Sequence, residues 1–254
     1  MPANQKNIKA VTISLNIVQE LIERDGARVT EVAEALDIAP STAYNHLQTL
    51  LNEEYVINRG SIYYPSMEFL RIGEYARTHT PGYRKAKEQV KALAEESGGR
   101  THFTIEEHGR GRYVYNSTGH LAVETFSSTG SSFPLHVSSA GKAMLAELPK
   151  SRVHEIIERY GLEASTSNSI TDKGELLEEL EQIRERGVAF NIEEHNMGIN
   201  AVGAPVKDPN GFLLGALSIS GPAQRFKGKT IREELSNNLL AAVNELELGI
   251  MYSQ

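Results

Sequence analysis

Hydrophobic residues in the first quarter of the chain recur at helical intervals. Ile8, Val11, Leu15, Val18 and Ile22 fall three or four positions apart, which predicts an amphipathic helix with that stripe buried. Asp25-Gly26 ends it. Thr30 is the expected N-cap of a short helix over Glu31–Leu36, with Val32, Ala33 and Leu36 inward and Glu31 and Glu34 near its positive end. After the turn Asp37-Ile38-Ala39, Pro40 stands where a helix tolerates proline, at its first position. The third helix runs to Asn52, with Ala43, Leu47, Leu50 and Leu51 as its buried stripe. Its opposite face carries Ser41, Thr42, Asn45, Gln48, Thr49 and Asn52 and holds no acid and no large aliphatic residue. Tyr55-Val56-Ile57 and Ser61-Ile62-Tyr63-Tyr64 then bracket Asn58-Arg59-Gly60 as a hairpin. Helix, short helix, turn, polar-faced helix and β-ribbon describe a winged helix-turn-helix, whose second helix of the pair enters a major groove.

Residues 67–80 read as a connecting helix that ends before Pro81. The pattern predicts a winged domain over 1–66, a linker helix over 67–80 and a second domain over 81–254. In the second domain a helix from Tyr83 to Ser97, closed by Gly98-Gly99, precedes strands over Thr101–Glu107, Arg112–Ser117 and Leu121–Ser127. Helices follow near 139–148, 151–160 and 172–186. Strands Ala201–Lys207 and Phe212–Ser220 then flank Asp208-Pro209-Asn210-Gly211, and a last helix covers Thr230–Tyr252. Strands joined by hairpins with helices grouped between them predict an α+β domain around an antiparallel sheet.

Composition narrows the chemistry. A chain of 254 residues suits two domains and can bury a core without staples. The absence of cysteine excludes disulfides, Cys-based metal sites and a thiol nucleophile, and suits a reducing compartment. No apolar region follows the N-terminal lysines and no run approaches membrane-spanning length, so the expected setting is the cytoplasm, with no membrane contact. The net charge of −7 disfavours nucleic-acid binding over the whole surface. Even residues 1–66 hold only Lys6, Lys9, Arg24, Arg28 and Arg59 against eight acids, a balance of −3. Few phosphate contacts predict low non-specific affinity and a shallow salt dependence, a design that suits a salt-rich cytoplasm.

On the winged domain, Ser41, Thr42 and the amides near Pro40 suit phosphate oxygens at a helix N-terminus. Tyr44, Asn45 and Gln48 are placed to reach base edges, and Asn or Gln pairs bidentately with adenine. Thr30 and Thr49 flank them, and Arg59 in the wing suits a backbone or minor-groove contact. In the second domain, Ser138-Ser139-Ala140-Gly141 opens a helix with amides and two hydroxyls directed at one spot, a site for an anionic or hydroxylated ligand. The Gly141-Lys142 pair is no phosphate loop, because His136 stands where that motif needs glycine and Ala143 where it needs Ser or Thr. His102, His108, His120, His136 and His195 lack metal-ligand spacing. No cofactor motif or Gly-x-Ser-x-Gly elbow appears, so no enzyme is expected.

Five segments extend the pattern: Val29–Val56 followed by the wing and Ser66–Ala76, FPLHVSSAGKAMLAELP at 133–149, the helix through Leu176–Gly187 into Val188-Ala189-Phe190-Asn191, EEHNMGINAVGAPVKD at 193–208, and LGALSISGP at 214–222. In this order they identify the chain as resembling IclR-type transcription regulators over nearly its whole length. The resemblance implies a DNA-binding domain joined to an effector-binding domain with a PAS- or GAF-like sheet. It also implies a homodimer, formed through the winged domain and linker helix, that often pairs again into a homotetramer. The implied partners are a double-stranded DNA operator and a small-molecule effector, frequently an organic acid. By the same resemblance the effector pocket is lined by Ser139, Ala140, Gly141, Met144, Asn191, Ile199, Ala201, Ser218 and Ser220. The chain departs from the family in two places. Asn45 occupies a position usually held by arginine, and Asn191 one where many members have aspartate. A sensor or partner-binding scaffold with little DNA affinity is the second reading.

Overall fold

A computed structural model describes residues 7–123 and 127–252. The chain forms two compact units that divide between Ala76 and Arg77.

The first unit contains α1 (Lys9–Glu23), α2 (Val29–Ala35), α3 (Pro40–Asn52), and the antiparallel strands β1 (Val56–Arg59) and β2 (Ile62–Pro65). Helix α4 (Glu68–Thr78) carries the chain across the division. The core gathers Ile17, Leu21, Val32, Ala43, Leu47, Val56 and Tyr63. Arg59 pairs with Ile62, so Gly60 and Ser61 alone make the turn. Both have positive φ, 58° and 74°, the geometry that matches the twist of a two-residue hairpin.

Three expectations fail in this unit, the first being the hairpin turn, which falls on Gly60-Ser61 because Asn58 and Arg59 still pair within the ribbon. Helix α1 forms, but it buries Ile17 and Leu21, whereas Ile8, Val11, Leu15 and Ile22 are exposed. The helix is apolar on two faces, and the stripe with the cleaner period points outward. Thr30 is not the cap of α2. Arg28 holds that position, its backbone N–H donates to the Glu31 carboxylate at 2.7 Å, and Thr30 lies inside the first turn.

The second unit begins with α5 (Pro81–Ser97), closed by Gly98 in the left-handed region at φ 69°. Strands β3 (Arg100–Glu107), β4 (Arg110–Thr118) and β5 (Ser132–Phe133) follow, then a 3₁₀ turn at Leu135–Val137 and helices α6 (Ser139–Glu147), α7 (Lys150–Tyr160) and α8 (Lys173–Arg186). The chain closes with β6 (Ala189–Ile192), β7 (Ile199–Lys207), β8 (Leu213–Pro222), a π turn at Thr230–Leu235 and α9 (Ser236–Met251). The sheet order is β5-β4-β3-β8-β7-β6, antiparallel throughout. The strand expected over Leu121–Ser127 is absent at 121–123, and 124–126 lie outside the described residues. Its place beside β4 is taken by β5.

Strand alternation divides this sheet between two layers. Val202, Ala204 and Val206 on β7, with Leu217 and Ile219 on β8, pack against Val90 and Leu93 of α5 and Leu239 and Leu246 of α9. The opposite face receives α6, α7 and α8, where Ala140, Met144, Val153, Leu176 and Leu180 surround Ala189 and Ala216. A Cβ on Gly203 would lie 2.6 Å from the Ser139 carbonyl carbon and 2.7 Å from the Ala140 nitrogen. Only glycine there lets the start of α6 rest directly on the sheet.

Candidate functional site

In the first unit, α3 presents Ser41, Tyr44, Asn45 and Thr49 to solvent, with Thr42 and Gln48 half-buried. The helix is held from both sides. His46 Nδ1 lies 2.8 Å from the Ser14 hydroxyl of α1, and Gln48 Nε2 donates to the Tyr63 phenolic oxygen at 2.9 Å. Gln48 is therefore tied to the wing through its amide nitrogen, a bond that sequence spacing does not reveal. The Thr49 hydroxyl donates back to the Asn45 carbonyl at 2.9 Å. Thr30 is exposed on α2, and Arg59 is exposed at the wing tip with its guanidinium 5.8 Å from the Tyr64 ring centroid.

In the second unit, a cavity of about 370 Å³ lies between the sheet and the start of α6. The Ser138 side chain caps α6, its Oγ accepting from Gly141 N at 2.9 Å. The amides of Ser139 and Ala140 are the remaining donors of that first turn. Ser139, Ala140, Asn191, Ile199, Ala201, Ser218 and Ser220 come together on the wall. Gly141 and Met144 stand behind it. A Cβ on Gly141 would meet the Leu135 carbonyl oxygen at 2.1 Å, and Met144 is fully buried in the helical layer. The Asn191 amide is occupied structurally: Nδ2 donates to the Val137 carbonyl at 3.0 Å, and Oδ1 accepts from Glu194 N at 2.9 Å.

The far wall was not legible beforehand. His102, Tyr113, Phe133 and His195 form a run of rings, with centroids 4.8 Å apart for His102–Tyr113, 4.6 Å for Tyr113–Phe133 and 6.2 Å for Phe133–His195. Strand register assembles this wall, because Thr104 pairs with Tyr113 and Gly111 with Phe133. Burial, reinforced by Arg100 and then His195, holds the His102 imidazole down at about 3, and its Nε2 lies 3.0 Å from the Ser127 hydroxyl. Burial pushes the Tyr113 phenol up to about 12. Burial, and then His136, also lowers His195. Burial thus disfavours charge on each titratable ring, and among the described residues no Lys, Arg, Asp or Glu lines the cavity.

Behind α6, Lys142 is buried and donates to both carboxylate oxygens of Glu194 at 2.7 and 2.6 Å. The Gly141-Lys142 pair is thereby explained by packing and an internal ion pair. Among the described residues, no group of three or more His, Asp or Glu is arranged to hold a metal ion.

Residues 10–59 match the family model of the IclR helix-turn-helix domain, and residues 78–248 match that of the bacterial transcriptional regulator IclR C-terminal domain. A probable HTH-type transcriptional regulator, ArcR of Halobacterium salinarum, is 28% identical over 96% of this chain and 95% of its own length. The crystal structure of Thermotoga maritima IclR superposes with a TM-score of 0.77 at 28% identity, covering 95% of this chain and 97% of that one. A double mutant of the PobR inducer-binding domain from Acinetobacter, in complex with 3-hydroxybenzoic acid, is 25% identical. It has a TM-score of 0.60 and covers 65% of this chain and 96% of its own.

Proposed function

Since the chain belongs to the IclR family of bacterial transcriptional regulators, and so is a DNA-binding regulator with a C-terminal effector-binding domain, we propose how its two sites are used. Residues 1–66 act as the DNA reader, 67–80 as the linker helix and 81–254 as the effector domain. Ser41 and Thr42 contact phosphates at the start of α3, while Tyr44 and Asn45 reach base edges. Gln48, Thr49, Thr30 and Arg59 complete the contact surface. The effector enters the cavity and meets Ser139, Ala140, Asn191, Ile199, Ala201, Ser218 and Ser220. A small organic acid fits this reading, in line with the 3-hydroxybenzoic acid held by the PobR domain.

The protein works in the cytoplasm as a homodimer that can pair into a tetramer. The exposed apolar stripe of α1, with Met67, Leu70 and Tyr75 also exposed, supports a partner protomer at the first unit, since such surface is seldom left to water. Effector binding changes the disposition of the paired winged domains and shifts operator affinity by about 1–3 kcal/mol, the usual scale of such coupling.

The observation that carries this reading is the cavity at the serine turn, whose described lining residues include no Lys, Arg, Asp or Glu, in a chain that also bears a DNA-reading domain. The test is fluorescence anisotropy with DNA from upstream of the protein's own gene, against scrambled DNA, over a salt series. Specific binding with a shallow salt slope, released by a small metabolite, is expected. No sequence preference at any salt, with or without organic acids, sugars or aromatic metabolites, overturns it.

A further inference from the structure

Among the described residues the cavity lining holds no formal charge, yet a cation stands two positions along β3 from His102 and opposite Ser220, both of which line it. Arg100 opens β3, paired with Thr118 on β4 and Ser220 on β8. Strand alternation puts its side chain on the face of His102, which lines the cavity. Thr101, between them, faces the other way, its hydroxyl donating to the Val90 carbonyl of α5 at 2.6 Å.

The Arg100 Nε is buried and has no hydrogen-bond partner. Among the described residues, no carboxylate forms an ion pair with this guanidinium, whereas buried Lys142 is committed to Glu194. A desolvated N–H of a charged group without an acceptor is unfavourable, and an incoming anion removes that defect. The field of Arg100 already reaches both His102 and Tyr113.

Resting on the reading of this cavity as the effector site, we propose that Arg100 is its anion anchor, fixing the carboxylate of an elongated organic acid at the Ser218–Ser220 end. The acid's body then lies along β3 toward Tyr113 and Phe133. Thr104, which pairs with Tyr113, is about 13 Å along the strand from Arg100 at the usual rise per residue. This leaves room for one ring or a short chain between the charge and the aromatic wall. A guanidinium binds a carboxylate bidentately and so sets orientation as well as affinity.

The test titrates the full-length protein by calorimetry with matched acids and amides: benzoate and benzamide, 4-hydroxybenzoate and 4-hydroxybenzamide, phenylacetate and phenylacetamide. At least one acid is expected to bind, with its amide at least about tenfold weaker. Arg100→Gln should lose at least about tenfold for the acid while leaving the amide within about threefold. Arg100→Lys, which keeps the charge without the fork, should fall between them and serves as the test if Arg100→Gln does not fold. Acid binding within about threefold of wild type in the Gln variant, or in the Lys variant in its place, overturns the anchor. So does equal binding of acid and amide, or no binding by any acid. Ser139→Phe separates the two readings. If it abolishes binding of a neutral ligand while no acid binds, the cavity stands and the anchor falls. If it leaves all ligand binding intact, the cavity reading itself fails.

Discussion

Gln48 and Tyr63 join the recognition helix to the wing, the amide nitrogen of one donating to the phenolic oxygen of the other at 2.9 Å. Tyr63 is buried, and the neighbouring Ala27 is bridged to it through both backbone groups, Ala27 N to Tyr63 O at 3.1 Å and Tyr63 N to Ala27 O at 2.8 Å. Tyr63→Phe keeps the ring and removes the acceptor. It should cost about 0.5–1.5 kcal/mol of stability in urea unfolding, the usual net worth of one hydrogen bond. It should also release the Gln48 amide and change base preference at a single operator position, measured by anisotropy on a set of single-base variants. An unchanged preference would mean that Gln48 contacts no base.

Asn45 is the exposed side chain on α3 best suited to bidentate pairing with adenine. Asn45→Ala should weaken operator binding by about 1–3 kcal/mol and relax specificity at one position. The salt slope should stay the same, because no phosphate contact is removed. Ligand affinity measured on the same sample should not move.

How far the sequence reaches depends on where the determining contacts lie. Helix α3, the β1–β2 hairpin and the end of α5 were legible because Pro40, Gly60 and Gly98 act on their own backbone. The inward face of α1 was not, because periodicity finds an apolar stripe without saying which of two is inside. Strand β6 was missed since its residues Ala189–Ile192 make a four-residue segment with no clean alternation. The serine turn could be read from its helix-opening residues. The aromatic wall and Arg100 could not, since pairing among β3, β4, β5 and β8 sets the places of His102, Tyr113, Phe133 and Arg100.

The outward stripe of α1 makes a quantitative claim about assembly. Leu15 is 62% exposed and Val11 54%, in the middle of the proposed protomer contact. Leu15→Glu puts a charge into that contact and leaves the unit's own core, built on Ile17 and Leu21, untouched. Light scattering on a sizing column should give a monomer at concentrations where the wild type is dimeric, with an unchanged far-ultraviolet spectrum. An intact dimer would place the interface elsewhere.

Lys142 and Glu194 form a pair whose members depend on each other. Burial raises the Glu194 pKa and the Lys142 ammonium opposes that shift. Lys142→Met leaves the carboxylate buried without its partner and should cost about 3–5 kcal/mol. Lys142→Met with Glu194→Leu should recover much of the loss, since the apolar pair carries no desolvation penalty. A double variant no more stable than the single one would show that Glu194 is held chiefly by other contacts. Thermal denaturation of the three proteins decides it.

His102 gives the protein a defined sensitivity to acid. Its imidazole is held at about 3, against an ordinary value of 6.5, because burial disfavours the charged form. The unfolded chain therefore binds a proton below pH 6.5 that the folded chain refuses. Stability is unaffected by this group above pH 6.5 and falls progressively as the pH drops from there toward 3. At two units below the ordinary value the loss is about 2–3 kcal/mol from this residue alone. His102→Gln keeps a polar group within reach of the Ser127 hydroxyl and cannot take up a proton. The variant should be less stable than wild type at neutral pH, yet its stability should decline less steeply between pH 6.5 and the onset of carboxylate titration. Urea unfolding of both proteins across that window measures the difference in slope. Parallel curves would mean that the folded protein accommodates a charged His102, and the neutral ring wall would have to be abandoned.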